Sequence, residues 1–568
     1  MHDLVLRAGT IVDGSGGEPY VGDLAVDGER VAAIGRVHDR GRREIDADGL
    51  LVLPGFVDVH THYDGQVTWD PHLTPSSKLG VTTVVMGNCG VGFAPAAPDR
   101  HDWLIGLMEG VEDIPGTALA EGLTWGWESF GEYLDVVERL PHAIDLATQV
   151  PHGALRAYVM GERGADHEEV PTAEETERMY RLVREAIGAG ALGFSSSRTR
   201  NHRTREGSFT PSLTAGADEL LAVARALRDS GAGVLQFVAD FREPDAELAL
   251  LRSLAECSGR PLSVSLTQVD LWPERWRDLL EGIERANAEG VTMTAQVAAR
   301  PVGLLLGLEG TLHPFIRRPT YRRLAGLSLP ERVAALRRPE VRRAILEEQP
   351  EGRGMFGFTG VRYEKLFALG DPPDYEPPPE ASVAAAAARV GQDPEELAYD
   401  LLLEQDGRAL LYYPALNYSD GDLEPAREML LHPHTVPGLG DGGAHCGVIC
   451  DASFPAFLLT HWARDRSRGE RLPLPWLVKA QTRDTAALVG LGDRGLLAPG
   501  KKADVNLIDF EGLCLRPPHL VHDLPAGGRR LVQEAEGFVA TVVSGQVVYE
   551  DGEPTGALPG RLVRGARR

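Results

Sequence analysis

The chain lacks any uninterrupted apolar run near the roughly 18 residues that a membrane span requires. It is also short of positive charge: 58 Lys and Arg face 83 Asp and Glu, a formal balance of −25. That argues against nucleic acid, whose phosphates need clustered cations, and against anionic lipid. Cysteine is scarce. Cys89, Cys257, Cys446, Cys450 and Cys514 are odd in number and scattered, unlike a disulfide framework. The opening Met1-His2-Asp3-Leu4 has no basic segment leading into an apolar one, so no secretory signal is expected and a cytoplasmic protein with reduced thiols is the simplest reading. What is present, 43% hydrophobic and 25% charged residues, suits a globular enzyme and sets aside disorder and fibres. At 568 residues the chain exceeds one ordinary compact domain, and a homo-oligomer remains open.

Both ends read as short strands with turn signals between them. Leu4–Arg7 is one, Gly9–Val12 leads into Asp13-Gly14 and Asp23–Val26 into Asp27-Gly28, and the pattern returns in Ala503–Ile508, Val539–Val543 and Gln546–Tyr549. The termini are therefore expected to meet in one small β-sandwich domain, 1–52 plus 497–568. The middle, 53–496, alternates apolar strands with helix-period segments such as Thr172 to Ile187 and Asp218 to Asp229. The strands expected are Gly55–His60, Val81–Met86, Ile144–Val150, Ala191–Ser195, Val234–Ala239, Leu262–Leu266, Val291–Gln296 and Val436–Gly440. Such alternation points to an α/β fold, a closed (β/α)8 TIM-like barrel. Residues 299–434, with Pro-rich turns and helical stretches such as Ala381 to Val390, read as a helical insertion or lid between strands 7 and 8.

Residues able to carry chemistry gather at the C-terminal ends of these strands, where barrel enzymes place their active sites. Strand 1 runs into His60-Thr61-His62, and side chains two apart in a strand point the same way, so both imidazoles can converge on one metal ion. A second such pair, His432-Pro433-His434, precedes a strand and reads as structural. Strand 2 ends in Gly87-Asn88-Cys89-Gly90, where Cys89 is a thiolate ligand or a buried packing residue. Strand 8 runs into Gly440-Asp441-Gly442, and Asp441 in that place is a metal ligand and proton acceptor. Arg198 and Arg200 near strand 4, and Arg300 after strand 7, are candidates for holding a carboxylate. The Cys446-x3-Cys450 pair reads as packing, because a metal clip would need a second pair.

The run Pro54-Gly55-Phe56-Val57-Asp58-Val59-His60-Thr61-His62-Tyr63-Asp64 is followed by Gly80–Val84, Gly87-Asn88-Cys89-Gly90 and Gly495–Asp504, and the chain closes on Gly556–Arg561. Together these resemble the N-acyl-D-amino-acid deacylase (D-aminoacylase) group of the amidohydrolase superfamily, over nearly the whole chain and least between about 200 and 430. The resemblance implies a barrel with a β-sandwich and one or two divalent ions, zinc by preference. It implies His60, His62, Cys89 and Asp441 as ligands, with Cys89 replacing the carboxylated lysine of many relatives. Asp441 would also be the general base that carries a proton to the leaving amine.

The chain departs from that group at two strands. The group places a histidine at the end of strand 5 and another at the end of strand 6, with a lysine on strand 6 for the substrate carboxylate. Here Val234–Asp240 and Leu262–Gln268 contain no histidine, and Gln268 stands where the lysine would be. A neutral amide oxygen is a poor zinc ligand beside imidazole. Three arrangements follow: a site rebuilt with His152 or His202, a single-ion site of His60, His62 and Asp441 with Cys89, or a site without metal. The reaction expected is hydrolysis of a C–N bond in a small amide, an N-acyl amino acid first, with His152, Arg198, His202, Gln268 and Arg300 as substrate-binding candidates. The alternatives are a hydrolase of a cyclic amide, imide or modified peptide, and a non-catalytic barrel scaffold.

Overall fold

Eight parallel strands form the centre of the computed structural model, which describes residues 1–352 and 360–565. They are β1 (Phe56–Asp58), β2 (Val81–Met86), β3 (Asp145–Pro151), β4 (Gly193–Arg198), β5 (Val234–Ala239), β6 (Leu262–Leu266), β7 (Met293–Val297) and β8 (Thr435–Pro437). Each pairs in parallel with the next along the sheet. Every residue of β2 and β3 is buried, as in parallel strands covered on both faces. All eight expected strands are present. The last ends at Pro437 rather than Gly440, because the chain turns through left-handed backbone at Leu439 (φ 61°) and Asp441 (φ 49°).

The two edges of the sheet meet just past β1 and β8. Thr61 bridges Gly442 in parallel, the Asp441 N–H donates to the His60 carbonyl at 3.0 Å, and the His62 N–H donates to the Gly442 carbonyl at 2.8 Å. Helices α1 (His101–Glu112), α2 (His152–Met160), α3 (Ala173–Ala189), α4 (Ala217–Ser230), α5 (Pro244–Ser258) and α6 (Arg275–Ala288) lie between the strands from β2 to β7, α2 and α3 both following β3. α3 shows how local sequence sets them. Thr172 and Glu175 form a reciprocal N-terminal cap, Met179, Val183, Ala186 and Ile187 bury one stripe, and Gly190 ends the helix at φ 115°.

The termini meet as expected. Strands Leu51–Pro54 and Val505–Ile508 pair antiparallel inside one nine-stranded sheet drawn from both ends of the chain. That sheet forks at His2–Ile11, which pairs along one edge first with Gly41–Asp46 and then with Leu51–Pro54. The last residues leave it: the Gly560 and Val563 N–H groups donate to His142 and Leu146, so this tail lies against β3 of the barrel rather than in the β domain.

The insertion is not purely helical. Besides helices such as Leu329–Leu336 and Pro394–Leu402, it holds a three-stranded antiparallel sheet of Gly303–Leu306, Leu411–Pro414 and Phe367–Ala368. Strands of two to four residues are too short to show a period in sequence. Residues 353–359 of the expected insertion, and 566–568 of the expected β domain, lie outside the described residues. Among the described residues no helix is long and apolar enough to cross a membrane.

Glu376 ties this insertion to the barrel. It accepts from His461 at 2.9 Å, from Arg466 at 3.0 and 3.1 Å, and from the Leu423 N–H at 3.0 Å. Burial resists its ionisation, but the bonds from His461 and Arg466 outweigh that and lower the carboxyl to about 2. A depressed folded pKa gives stability that is complete above the unfolded value of about 4.3 and is lost as pH falls through it toward 2. Urea melts of Glu376→Gln should therefore lose part of the wild-type decline across that acid window. At pH 7, Glu376→Ala should cost roughly 3 kcal/mol, because buried Arg466 keeps only the partly exposed Glu424 as a carboxylate partner beside the Glu470 carbonyl. Melts superimposable on wild type at both pH values would contradict this anchoring role.

Candidate metal centre

His60 and His62 leave the end of β1 with their rings 5.5 Å apart, both about 1% exposed. In each ring one nitrogen faces a protein acceptor and the other faces a common point. His60 Nδ1 lies 2.7 Å from Gln296 Oε1, and the Gln296 amide N–H donates to Ser263 Oγ at 3.0 Å, which fixes the oxygen toward the ring. The ring must then donate from Nδ1 and present a lone pair at Nε2. His60 Nε2 lies 3.2 Å from Cys89 Sγ and 3.6 Å from Asp441 Oδ1. His62 repeats the plan: Nδ1 faces Glu112 Oε1 at 3.4 Å, and Nε2 lies 3.5 Å from Asp441 Oδ1.

The ligand atoms of His60, His62 and Cys89 all fall within 4.8 Å of one another. Two imidazole nitrogens, one sulfur and an adjacent carboxylate suit a borderline-soft divalent ion such as zinc. His62 Nδ1 and Glu112 Oε1 face each other as an ion pair rather than a hydrogen bond, and His445 Nδ1 is buried without a hydrogen-bond partner. Burial drives His60 down to about 4 and Cys89 up to about 12, so both rest neutral. Burial also opposes ionisation of Asp441, yet His62, His60 and His445 hold its carboxyl below the usual range.

Backbone strain gathers here. Cys89 (φ 54°), Leu439 (φ 61°), Asp441 (φ 49°) and His445 (φ 53°) all take left-handed backbone at the cavity, at about 1–3 kcal/mol for a side-chain-bearing residue. Gly443 (φ 91°) must lack a side chain, since a Cβ would stand 2.9 Å from the His62 carbonyl.

The centre opens into a cavity of about 490 Å³ that is also lined by His202, Glu112 and His445. Of the five substrate-binding candidates only His202 is there, its Nδ1 3.0 Å from Ser197 Oγ. The other four are corrected by the structure. His152 is fully buried between Ser196 Oγ (2.8 Å) and Glu219 (2.9 Å), and Glu219 also receives Arg156. Arg198 binds Glu247 and the Ala215 carbonyl. The Gln268 side chain donates to Asp420 at 2.8 Å and accepts from Ser419 N–H at 3.1 Å, which secures the insertion to β6. Arg300 is 1% exposed, stacked 3.7 Å over Tyr375 and bonded to Asp451 and the Cys450 carbonyl. None of the four lines the cavity. His432 and His434 flank the N-terminal end of β8, away from the centre. All five cysteines are free, and Cys446 and Cys450 are buried.

Sequence reasoning missed Glu112, His445 and the glutamines of the barrel interior. Glu112 carried a signal: Leu104, Met108 and Glu112 share one helix face, so an acid continues the buried stripe of α1. His445 sits four residues past Asp441, and its Nε2 lies 3.6 Å from Glu112 and 3.8 Å from Asp441. Gln296 and Gln236 lie mid-strand, the latter accepting from the Cys89 N–H at 3.0 Å, and nothing local marks them.

Comparison with known proteins gives the family and the fold. The amidohydrolase family (Amidohydro_3) matches residues 43–549. D-aminoacylase of Alcaligenes xylosoxydans xylosoxydans is 28% identical over 99% of this chain and 97% of that protein. N-acyl-D-aspartate deacylase of the same organism is 30% identical over 99% and 95%. A D-aminoacylase crystal structure matches with TM-score 0.65 at 24% identity, covering 99% of this chain and all of the other. N-acyl-D-glutamate deacylase from Bordetella bronchiseptica, complexed with zinc and a phosphonate inhibitor, matches with TM-score 0.64 at 24% identity over 99% of each chain. These two structures share the fold. The chain belongs to the amidohydrolase family, in its D-aminoacylase group, and is a hydrolase of amide bonds other than those of the peptide backbone.

Proposed function

We propose that the protein hydrolyses the amide bond of an N-acyl amino acid, with His60, His62 and Cys89 holding a divalent ion, zinc by donor type, and Asp441 moving the proton. The observation that carries this reading is the shared direction of the two Nε2 atoms, the Cys89 sulfur and the Asp441 carboxylate. A bound divalent ion would supply Lewis acidity to water and to the amide carbonyl.

The protein's own groups do the rest. Asp441, held ionised, accepts a proton from the attacking water at Oδ1 or Oδ2 and delivers it to the departing nitrogen. Gln296 and Glu112 set the ring orientation of His60 and His62, as partners behind ligating histidines do in metal enzymes. The curled strand tips bury these groups and limit water to the cavity side. Five free thiols support a reducing, cytoplasmic setting.

Three outcomes follow. Chelator-stripped protein should lose N-acyl amino acid hydrolysis and regain it with zinc; activity that survives complete metal removal would overturn the assignment. Asp441→Asn should lower kcat by about 10²–10⁴-fold while zinc still binds, measured by steady-state kinetics with metal analysis of the same sample; undiminished turnover would remove Asp441 from its role. Glu112→Gln should weaken zinc affinity about 10–100-fold in a competing-chelator titration, without a fall in the melting temperature of metal-free protein. Unchanged affinity would make Glu112 a packing residue.

A further inference from the structure

The loop Gly87-Asn88-Cys89-Gly90 that follows β2 is held by groups from β3, β4 and β5. The Cys89 N–H donates to Gln236 Oε1 on β5 at 3.0 Å. Ser195 on β4 spans the loop: its hydroxyl accepts from the Gly90 N–H at 2.9 Å and donates to the Gly87 carbonyl. Gln149 on β3 donates to Asn88 Oδ1 at 2.9 Å. Just past that strand, the Gly153 N–H donates to the Gly90 carbonyl at 2.8 Å. Asn88, Gln149, Ser195 and Gln236 are all buried.

Barrel interiors are ordinarily filled by branched apolar side chains, and the hydroxyl and amide on β4 and β5 depart from that pattern at a cost. Cys89 takes left-handed backbone (φ 54°), and Gln236 Nε2 is buried without an acceptor. A cysteine has one rotatable bond between Cα and sulfur, whereas a histidine has two before its ring, so Sγ follows the backbone closely. Gln236 grips that backbone at the amide next to Cα, with Sγ 3.2 Å from His60 Nε2. Gln296 on β7 holds the His60 ring in the same manner, at 2.7 Å. A neutral amide oxygen is a poor zinc ligand beside imidazole but a good acceptor for an N–H. β5, which carries no histidine, is therefore suited to hold a ligand rather than to be one.

We infer that Gln236, with Ser195, is a positioning residue for the metal centre: it fixes the backbone of Cys89 so that Sγ is presented beside His60 and His62. The inference rests on the reading of Cys89 as a ligand. Without the Gln236 oxygen, the Cys89 N–H loses its acceptor and the strained backbone is free to relax, which carries the sulfur away from the imidazoles. The fold itself is spared, because the orphaned donor leaves with the same amide.

Gln236→Met keeps the length of the side chain and removes the amide. Its zinc affinity, from a competing-chelator titration, should fall about 10–100-fold. Cobalt(II)-loaded wild-type protein should show a near-ultraviolet sulfur-to-cobalt charge-transfer band, which Cys89→Ala abolishes and Gln236→Met weakens or shifts. The melting temperature of metal-free Gln236→Met should not fall, as it would for a residue that only supports packing. An unchanged band in Gln236→Met overturns the inference whether or not affinity falls, because the sulfur has then kept its place. If that variant does not fold, Ser195→Ala gives the same readings from the other side of the loop, and an unchanged band there overturns the inference equally. A wild-type cobalt complex without the band removes Cys89 from the ligand set, and the inference with it. A wild-type band without hydrolysis of any N-acyl amino acid leaves the positioning role standing and removes the hydrolase reading.

Discussion

The pairing of the chain just past β1 with the chain just past β8 is the constraint on which the site depends. Two backbone hydrogen bonds, Asp441 to His60 and His62 to Gly442, join residues almost 400 apart in sequence and close the sheet at its C-terminal end. Because β-strand side chains alternate, this one register sends His60 and His62 inward beside Asp441. A shift of one residue would turn both imidazoles away. The left-handed backbone at Leu439 and Asp441 and the side-chain-free turn at Gly443 keep the pairing within reach, so conformational strain is localised at the seam rather than spread through the barrel.

Around the seam the electrostatics are those of a charge held out of water. Glu112, Asp441, His62 and His60 are clustered and buried or nearly so, and isolated buried charges are unfavourable unless they find a partner. Protein partners are assigned to the outward nitrogen of each ring, Gln296 for His60 and Glu112 for His62, while the inward nitrogens share one space with Cys89. The same chain treats other buried charges differently. His152 with Glu219 and Arg156, and Arg300 with Asp451, are ion pairs that hold elements together rather than face the cavity. Contact with the cavity, more than residue type, separates the two classes.

The barrel was legible in sequence because strands buried on both faces are continuous apolar runs, and because capped helices such as α3 announce their ends. His60, His62, Cys89 and Asp441 were legible for a related reason: each stands immediately past such a run, where the fold dictates the direction of its side chain. The illegible part depended on long-range contact. Gln268 resembles a ligand in strand position but is captured by residues 419 and 420 of the insertion, and Arg300 by Asp451. The sheet of the insertion escaped because its strands are too short to carry a period. Glu112 lies in a helix far from every motif, and only the fold brings it to His62.

The strand-5 and strand-6 histidines of the D-aminoacylase group have no histidine substitutes on those strands here, and the anionic and imidazole groups near the centre come instead from α1 and from the loop after β8, as Glu112 and His445. The account therefore stands on one cation position framed by β1, β2 and β8. Anomalous difference maps collected at the zinc edge from crystals of zinc-loaded protein would test it most directly. The prediction is a peak in contact with His60 Nε2, His62 Nε2 and Cys89 Sγ, beside Asp441. A crystal saturated with zinc that shows no peak there, or shows its strongest protein-bound peak elsewhere, would contradict the account.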